Sequence, residues 1–515
     1  MRETFFENIQ PGNQARNNSL GAKEIEMTAT PIFTHCDGTA GTLRSIVLLL
    51  LGLACAFLPG TALAAASGKL ELVENWVGVV ALILFAVAYV FVVIEEFTHL
   101  KKSKPVLLAA GIIWALVGYE YASHNLIHAA EEAVQVFLIE FTELFLFLLV
   151  AMTYVNAMSE RNVFEALRIW LVKQGYGYRR LFWTTGIITF FLSPIIDNLT
   201  AALVMSAVAL AVGKNNRRFA ALSCINIVVA ANAGGAFSPF GDITTLMVWQ
   251  SGQVEFQTFF ALAIPSVVNY LVPAAIMSFA VPRDVPEVDE SGVVELRRGA
   301  KTIMFLFACT IATAVSFHNF LHLPPFLGMM LGLGYLKLFG YYLQKTHIRA
   351  TTDEATYGVI GDIQAFDSYR ELARAEWDTL MFFFGVIMCV GGLGFIGYLD
   401  LVSQYMYLEL GPTSANVLVG FFSALVDNIP VMVAVLQMNP VMDLNQWLLV
   451  TLTAGVGGSM LSIGSAAGVA LMGQARGIYT FFGHLKWAPA ILLGYALSIW
   501  VHLLINTRFI GIPVD

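Results

Sequence analysis

Two Asp-Asn pairs sit in the middle of stretches that are otherwise almost wholly apolar. Asp197-Asn198 lies within 181–213 and Asp427-Asn428 within 415–439. A carboxylate at the centre of an apolar spanning helix costs about 2.5–3.5 kcal/mol on insertion scales, so it is retained for work at a polar cavity. A serine precedes each aspartate by four residues, Ser193 in one stretch and Ser423 in the other. Carboxylate, amide and hydroxyl oxygens are hard donors, which suit a hard cation such as Na⁺. A second physical role is open to both aspartates: each can cap the N-terminus of a half-helix. Capping and cation binding are compatible.

The polar residues that follow are ordered in the same way twice. Asn232-Ala233-Gly234-Gly235 through Pro239-Phe240-Gly241-Asp242 aligns without gaps on Gly455-Val456-Gly457-Gly458 through Ser462-Ile463-Gly464-Ser465. Asp242 is followed by Thr244 and Thr245, whereas the second copy offers Ser465, Ala467 and Gly468, so a third acid exists on one side alone. The glycines let a helix unwind and turn freed carbonyls toward an ion, or let two helices pack closely. The candidate cation and proton ligands are Asp197, Asn198, Asn232, Asp242, Thr244, Thr245, Ser423, Asp427, Asn428, Ser462 and Ser465, with Na⁺ held through Asp197 and Asp427. Glu143 and Asp378, which begin the helices before the two stretches, are candidate secondary proton-handling acids; a position near a solvated membrane face would also account for them.

The elements that must position these residues follow from composition. Of 515 residues, 57% are hydrophobic and 12% charged, against about 45–50% and 25% in soluble domains. So few charges cannot cover a soluble surface, which excludes a cytosolic enzyme and a nucleic-acid binder. Five cysteines without a C-x-x-C pair exclude a disulfide framework. The expectation is an all-α polytopic membrane protein. Spans are expected near 76–97, 105–122, 133–156, 219–251, 257–281, 300–319, 323–343, 377–399, 446–474 and 486–506.

Lys and Arg crowd alternate loops, beginning with Lys101, Lys102 and Lys104, while the opposite loops hold none. This bias marks the cytoplasmic side. It alternates strictly only if 181–213 and 415–439 return to the side they enter, as re-entrant hairpins. Helices lying in the interface are expected at 163–173 and 400–410. Each repeat then comprises an acid-bearing helix, a hairpin and a broken transmembrane helix, and five crossings between the acids invert one repeat against the other. Inverted repeats with paired broken helices are a transporter pattern with its site near the midplane.

The expected domains are a polar tail, 1–42; a signal peptide or first span, 43–66; a first half, 76–281, holding repeat 133–281; a loop, 282–299; and a second half, 300–506, holding repeat 377–506. No Lys or Arg is near either hairpin tip in the sequence, which disfavours an anion site. An intramembrane protease is disfavoured because Pro239 stands where Gly-x-Gly-Asp needs its first glycine. A passive channel would share the composition.

With these motifs assembled, the chain resembles the NhaD-type Na⁺/H⁺ antiporters of the ion-transporter superfamily over roughly residues 75–506. The resemblance rests on Ser193 through Thr200, Ala231 through Thr245, Val426 through Pro430 and Gly457 through Ser465. It implies exchange of Na⁺ or Li⁺ for H⁺ across the bacterial inner membrane, no cofactor, and a plausible homodimer. It places the family's functional polar residues on the candidates named above. The same superfamily includes dicarboxylate carriers, so a Na⁺-coupled anion symporter is the alternative.

Overall fold

The computed structural model describes residues 70–98, 100–285, 295–352 and 367–514. The expected tail and the signal peptide or first span lie outside these residues. Every long element is a helix, and nine helices among the described residues are long and apolar enough to cross a membrane. The chain is a multi-pass membrane protein.

Burial sorts the helices into an inner and an outer set. Arg217–Gly235 is buried over 89% and Trp377–Ile396 over 78% of its apolar window, whereas Trp76–Val93 and Ala300–Leu321 are buried over 28%. The outer helices leave large apolar side chains such as Ile83, Leu108, Phe305 and Leu338 exposed. Contiguous apolar surface of this kind is lipid-facing in a spanning protein.

Both central apolar stretches break at their aspartates. Tyr178–Ile196 ends at Asp197 and Asn198–Val212 begins after it; Pro412–Val426 ends at Asp427 and Asn428–Met438 begins after it. Two further helices break at the glycine-rich segments. Arg217–Gly235 is followed by Ile243–Gln250, and Leu444–Gly457 by Ala466–Gln474. Each of these starts on a side-chain cap: Asn216 accepts from the Phe219 amide at 3.0 Å, and Asp443 from the Gln446 amide at 2.9 Å. These caps satisfy one of the orphan donors that every helix start exposes.

The packing is crossed. Tyr178–Ile196 lies along Arg217–Gly235 and Pro412–Val426 along Leu444–Gly457, each within its own half. The arms beyond the aspartates pack on their own half and also reach the opposite one: Asn198–Val212 touches Ala466–Gln474, and Asn428–Met438 touches Ile243–Gln250. Trp377–Ile396 is wedged between Ser103–Ser123 and Ile127–Glu160.

The helix carrying Glu143 is longer than the span expected at 133–156. It runs Ile127–Glu160, so Glu143 lies mid-helix rather than at its start. Residues 127–132, which include His128, Glu131 and Glu132, are helix formers or tolerate a solvated turn, and they extend the helix beyond its apolar part. The segments at 163–173 and 400–410 are helical as Val163–Lys173, Tyr398–Ser403 and Gln404–Glu409.

Where Ile127–Glu160 meets Ser368–Ala373, the fully buried Glu371 accepts from Arg374 Nη1 at 3.0 Å. Burial, and then the like charge of Glu160, pushes the Glu371 carboxyl up to about 7 against the pull of Arg374. The folded state therefore holds a proton that the unfolded chain has released by about pH 4.5. The contribution of Glu371 to stability is fully present below that value and is lost as pH rises toward about 7. Glu371→Gln is expected to flatten this decline in the melting temperature of the purified protein between pH 5 and 7.5; a decline parallel to the parent's would refute it.

Candidate functional site

The geometry starts from two strained residues. Asp197 has φ 73° and ψ 156°, and Asp427 has φ 96° and ψ 143°. A non-glycine residue in this region costs of order 1–3 kcal/mol and persists only where its surroundings over-determine it. Two matched serines help to do so. Ser193 Oγ donates to the Ala231 carbonyl at 2.6 Å, and Ser423 Oγ donates to the Ala454 carbonyl at 2.6 Å. Each serine ties its stretch to the neighbouring broken helix, just before Asn232 in one case and Gly455 in the other.

The glycines serve close approach. A Cβ on Gly234 would strike the Phe190 carbonyl, and one on Gly457 would strike the Gly420 carbonyl. A Cβ on Gly241 would come to 2.9 Å from Pro194 Cα, and one on Gly464 to 2.7 Å from Ala424 Cα. Both breaks are thus clamped against the residues leading into the aspartates by the same backbone contacts.

These clamps bring the polar residues of the two halves into one buried network. Asn428 Nδ2 donates to Asp242 Oδ1 at 3.2 Å and Oδ2 at 3.1 Å. Asn198 Nδ2 donates to Asn232 Oδ1 at 3.2 Å, and Asn232 Nδ2 donates to Ser465 Oγ at 3.0 Å. Asp242 and Ser465 occupy matching places as the caps of the post-break helices, accepting from the Thr244 and Gly468 amides at 3.2 and 3.3 Å. Thr245 Oγ1, Ser462 Oγ and Asp427 Oδ1 are buried with no hydrogen-bond partner. Orphaned buried oxygens are costly, and a hard cation is one group that satisfies them.

The two aspartates are held differently. Asp197 is a cap: Oδ1 accepts from the Thr200 amide at 2.7 Å and Oδ2 from the Thr200 hydroxyl at 2.8 Å. Asp427 makes no side-chain cap bond; its Oδ2 lies 3.4 Å from Lys102 Nζ. This corrects the expectation of hairpin tips without a cationic neighbour. Lys102 is 325 positions away in sequence, and only the packing of Ser103–Ser123 against Trp377–Ile396 delivers it.

A cavity opens onto Asp197, Asn198, Asp242 and Asn428. Its wall continues past Asn156 and Thr379 to Glu376, which is exposed and accepts from Thr379 Oγ1 at 3.1 Å. None of the residues lining it is basic. Glu143 does not line the cavity, although Phe147, Leu148 and Ala151 on the next turns of its helix do. Asp378 is also away from it, accepting from Ser103 Oγ at 2.5 Å. Sequence reasoning passed over Thr200, Glu376 and Lys102 as site residues. For Glu376 the available signal was an acid two residues before Asp378; for Lys102 there was none.

The comparisons with known proteins bear on this arrangement. A family model described as "Citrate transporter" matches residues 39–457. The Na⁺/H⁺ antiporter NhaD of Vibrio cholerae is 57% identical over 447 residues, covering 85% of this chain and 94% of that protein. The protein of that name from Alkalimonas amylolytica is 56% identical over 467 residues, covering 89% and 96%. Sodium/proton antiporter 1 of Arabidopsis thaliana is 31% identical over 471 residues, covering 87% and 77%.

The clamps themselves are testable. Gly457→Ala sets a methyl group against the Gly420 backbone, and overpacking a rigid contact costs about 1–3 kcal/mol. A lowered melting temperature in detergent is expected, with a similar loss for Gly234→Ala. Gly334→Ala, which meets nothing within 4 Å, is the control, and equal melting of all three variants would refute the clamps.

Proposed function

The chain belongs to the NhaD-type Na⁺/H⁺ antiporter family, and we propose that it exchanges Na⁺, or Li⁺, for H⁺ across the bacterial inner membrane. Cation and proton compete for the carboxylates of Asp197, Asp242 and Asp427. The observation that carries this reading is the cavity ending on Asp197 and Asp242, where both halves contribute carboxylate and amide groups. Its lining acids, Asp197, Asp242 and Glu376, give it a negative potential that concentrates cations.

In this reading the two Asp-Asn stretches are re-entrant hairpins and the halves are inverted repeats. The matched clamps and crossed arms support that symmetry, as does the alternation of basic loops. The cavity mouth at Glu376 lies beside Arg370 and Arg374 in the chain, on the side the basic loops mark as cytoplasmic. The structure then corresponds to a state open inward. A proton or a Na⁺ at Asp197 neutralises a carboxylate that would be costly to carry through the apolar layer, so occupied sites cross and empty ones do not. Asn198, Asn232 and Asn428 hold the acids in register. Ser423, Ser462, Ser465, Thr244 and Thr245 supply hydroxyl oxygens, while Glu143 and Asp378 lie outside the immediate ligand set.

The same-fold alternative, a Na⁺-coupled anion symporter, fits this site less well, because an anion entering the cavity meets three acids and no basic side chain.

Two experiments test the proposal. In everted vesicles, Asp197→Asn is expected to abolish Na⁺-driven dissipation of ΔpH; dissipation at the parent's rate would overturn the role given to Asp197. Uptake of succinate or citrate into proteoliposomes, with no Na⁺-driven proton movement, would favour the symporter. Separately, Thr379→Cys should react from the cytoplasmic face with a membrane-impermeant thiol reagent above the parent's background, and Na⁺ should slow the reaction. A thiol that reacts solely from the opposite face would reverse the assigned access.

A further inference from the structure

Lys102 is the one basic side chain that reaches a site carboxylate among the described residues. It stands at the start of Ser103–Ser123, and its side chain is 12% exposed against 6% for that of Asp427. The ammonium lies over the Phe382 ring, 4.3 Å from its centroid, so it is held between a carboxylate and an aromatic face. Glu95 and Asp378 are the other acids near this end of the helix, and Asp378 is engaged by Ser103. Among the described residues Asp197 has no basic partner; Thr200 takes the corresponding place.

Three features make the pair a poor structural salt bridge. At 3.4 Å it is longer than a charge-assisted hydrogen bond of about 2.7–2.9 Å. The other carboxylate oxygen, Oδ1, is buried without a partner, so Lys102 leaves half of the carboxylate unanswered. A lysine on a flexible stem, rather than the planar fork of an arginine, can swing away without breaking several bonds at once. Such a cation is displaceable.

We propose that the Lys102 ammonium is a tethered resident cation of the transport site, occupying at Asp427 a position that Na⁺ takes only by displacing it. Lys102 thereby sets the apparent Na⁺ affinity and makes the two halves unequal, with Asp197 open to the cavity and Asp427 already partnered. The inference rests on the Na⁺/H⁺ exchange reading. Removing the lysine leaves a buried carboxylate without compensation, so Na⁺ then competes with H⁺ alone for it, and at alkaline pH Na⁺ is favoured.

The test is the KM for Na⁺, measured by ΔpH dissipation in everted vesicles at fixed pH, for the parent, Lys102→Gln and Lys102→Arg. Lys102→Gln is expected to lower KM at least roughly tenfold, the scale of coupling within a close, desolvated charge pair. Lys102→Arg keeps the charge with a firmer grip and is expected to raise KM above the parent value. A Lys102→Gln KM equal to or above the parent's, or a KM lowered equally by both variants, overturns the proposal. If Lys102→Gln does not accumulate in the membrane, Lys102→Arg decides: a KM above the parent's supports the proposal, and an unchanged or lowered one overturns it. A purely structural lysine would change accumulation without moving KM. A parent that shows no Na⁺-driven proton movement would sink the exchange reading itself. In that event the Na⁺ concentration that raises the melting temperature of purified parent and Lys102→Gln protein judges Lys102 alone.

Discussion

A helix broken inside an apolar layer has to find partners for its stranded peptide groups and for any charge placed at the break, and the rest of this structure is organised around that need. Asp197 and Asp427 stand where the chain adopts a conformation that suits glycine, so each break is enforced by its neighbours rather than by local preference. The enforcement is backbone contact. Serine to carbonyl, and glycine to carbonyl, recur at equivalent places in both halves. The arms beyond the aspartates also reach the opposite half, and neither half completes its polar network alone. Asn428 of the second half satisfies Asp242 of the first, and Asn232 of the first satisfies Ser465 of the second.

Within this matched frame the chemistry is unequal. Asp242 has Ser465 as its counterpart, and Asp197 is served by Thr200 where Asp427 is met by Lys102. Equivalent backbone contacts thus hold unlike side chains at the two breaks. The cavity reflects this asymmetry: it reaches Asp197 and Asp242 but not Asp427.

Much of the frame was legible because its rules are local or periodic. The helix breaks at Asp197 and Asp427 and at the glycine-rich segments could be read from polar residues interrupting apolar runs. The correspondence of Asn232–Asp242 with Gly455–Ser465 needed only an ungapped comparison. The roles of individual groups were less legible. The glycines were open to two explanations, and the contacts at Gly234, Gly241, Gly457 and Gly464 show close packing. In the sequence Glu143 reads as beginning its helix, yet the helix starts at Ile127 and an apolar run, Val136 through Ile139, already precedes the acid.

By itself, the sequence determined that the chain is a helical membrane protein, where its helices break, and which residue types stand at the breaks. Those properties follow from transfer free energy and backbone geometry, which act along a few neighbouring residues. Tertiary structure decided which oxygens meet. Asn428 on Asp242, Thr379 and Glu376 on the wall leading to Asp197, and Lys102 on Asp427 all join residues far apart in the chain, apart from the Thr379–Glu376 contact itself. No local pattern encodes such pairings, because a side chain's charge says what it needs while helix packing decides what comes within reach.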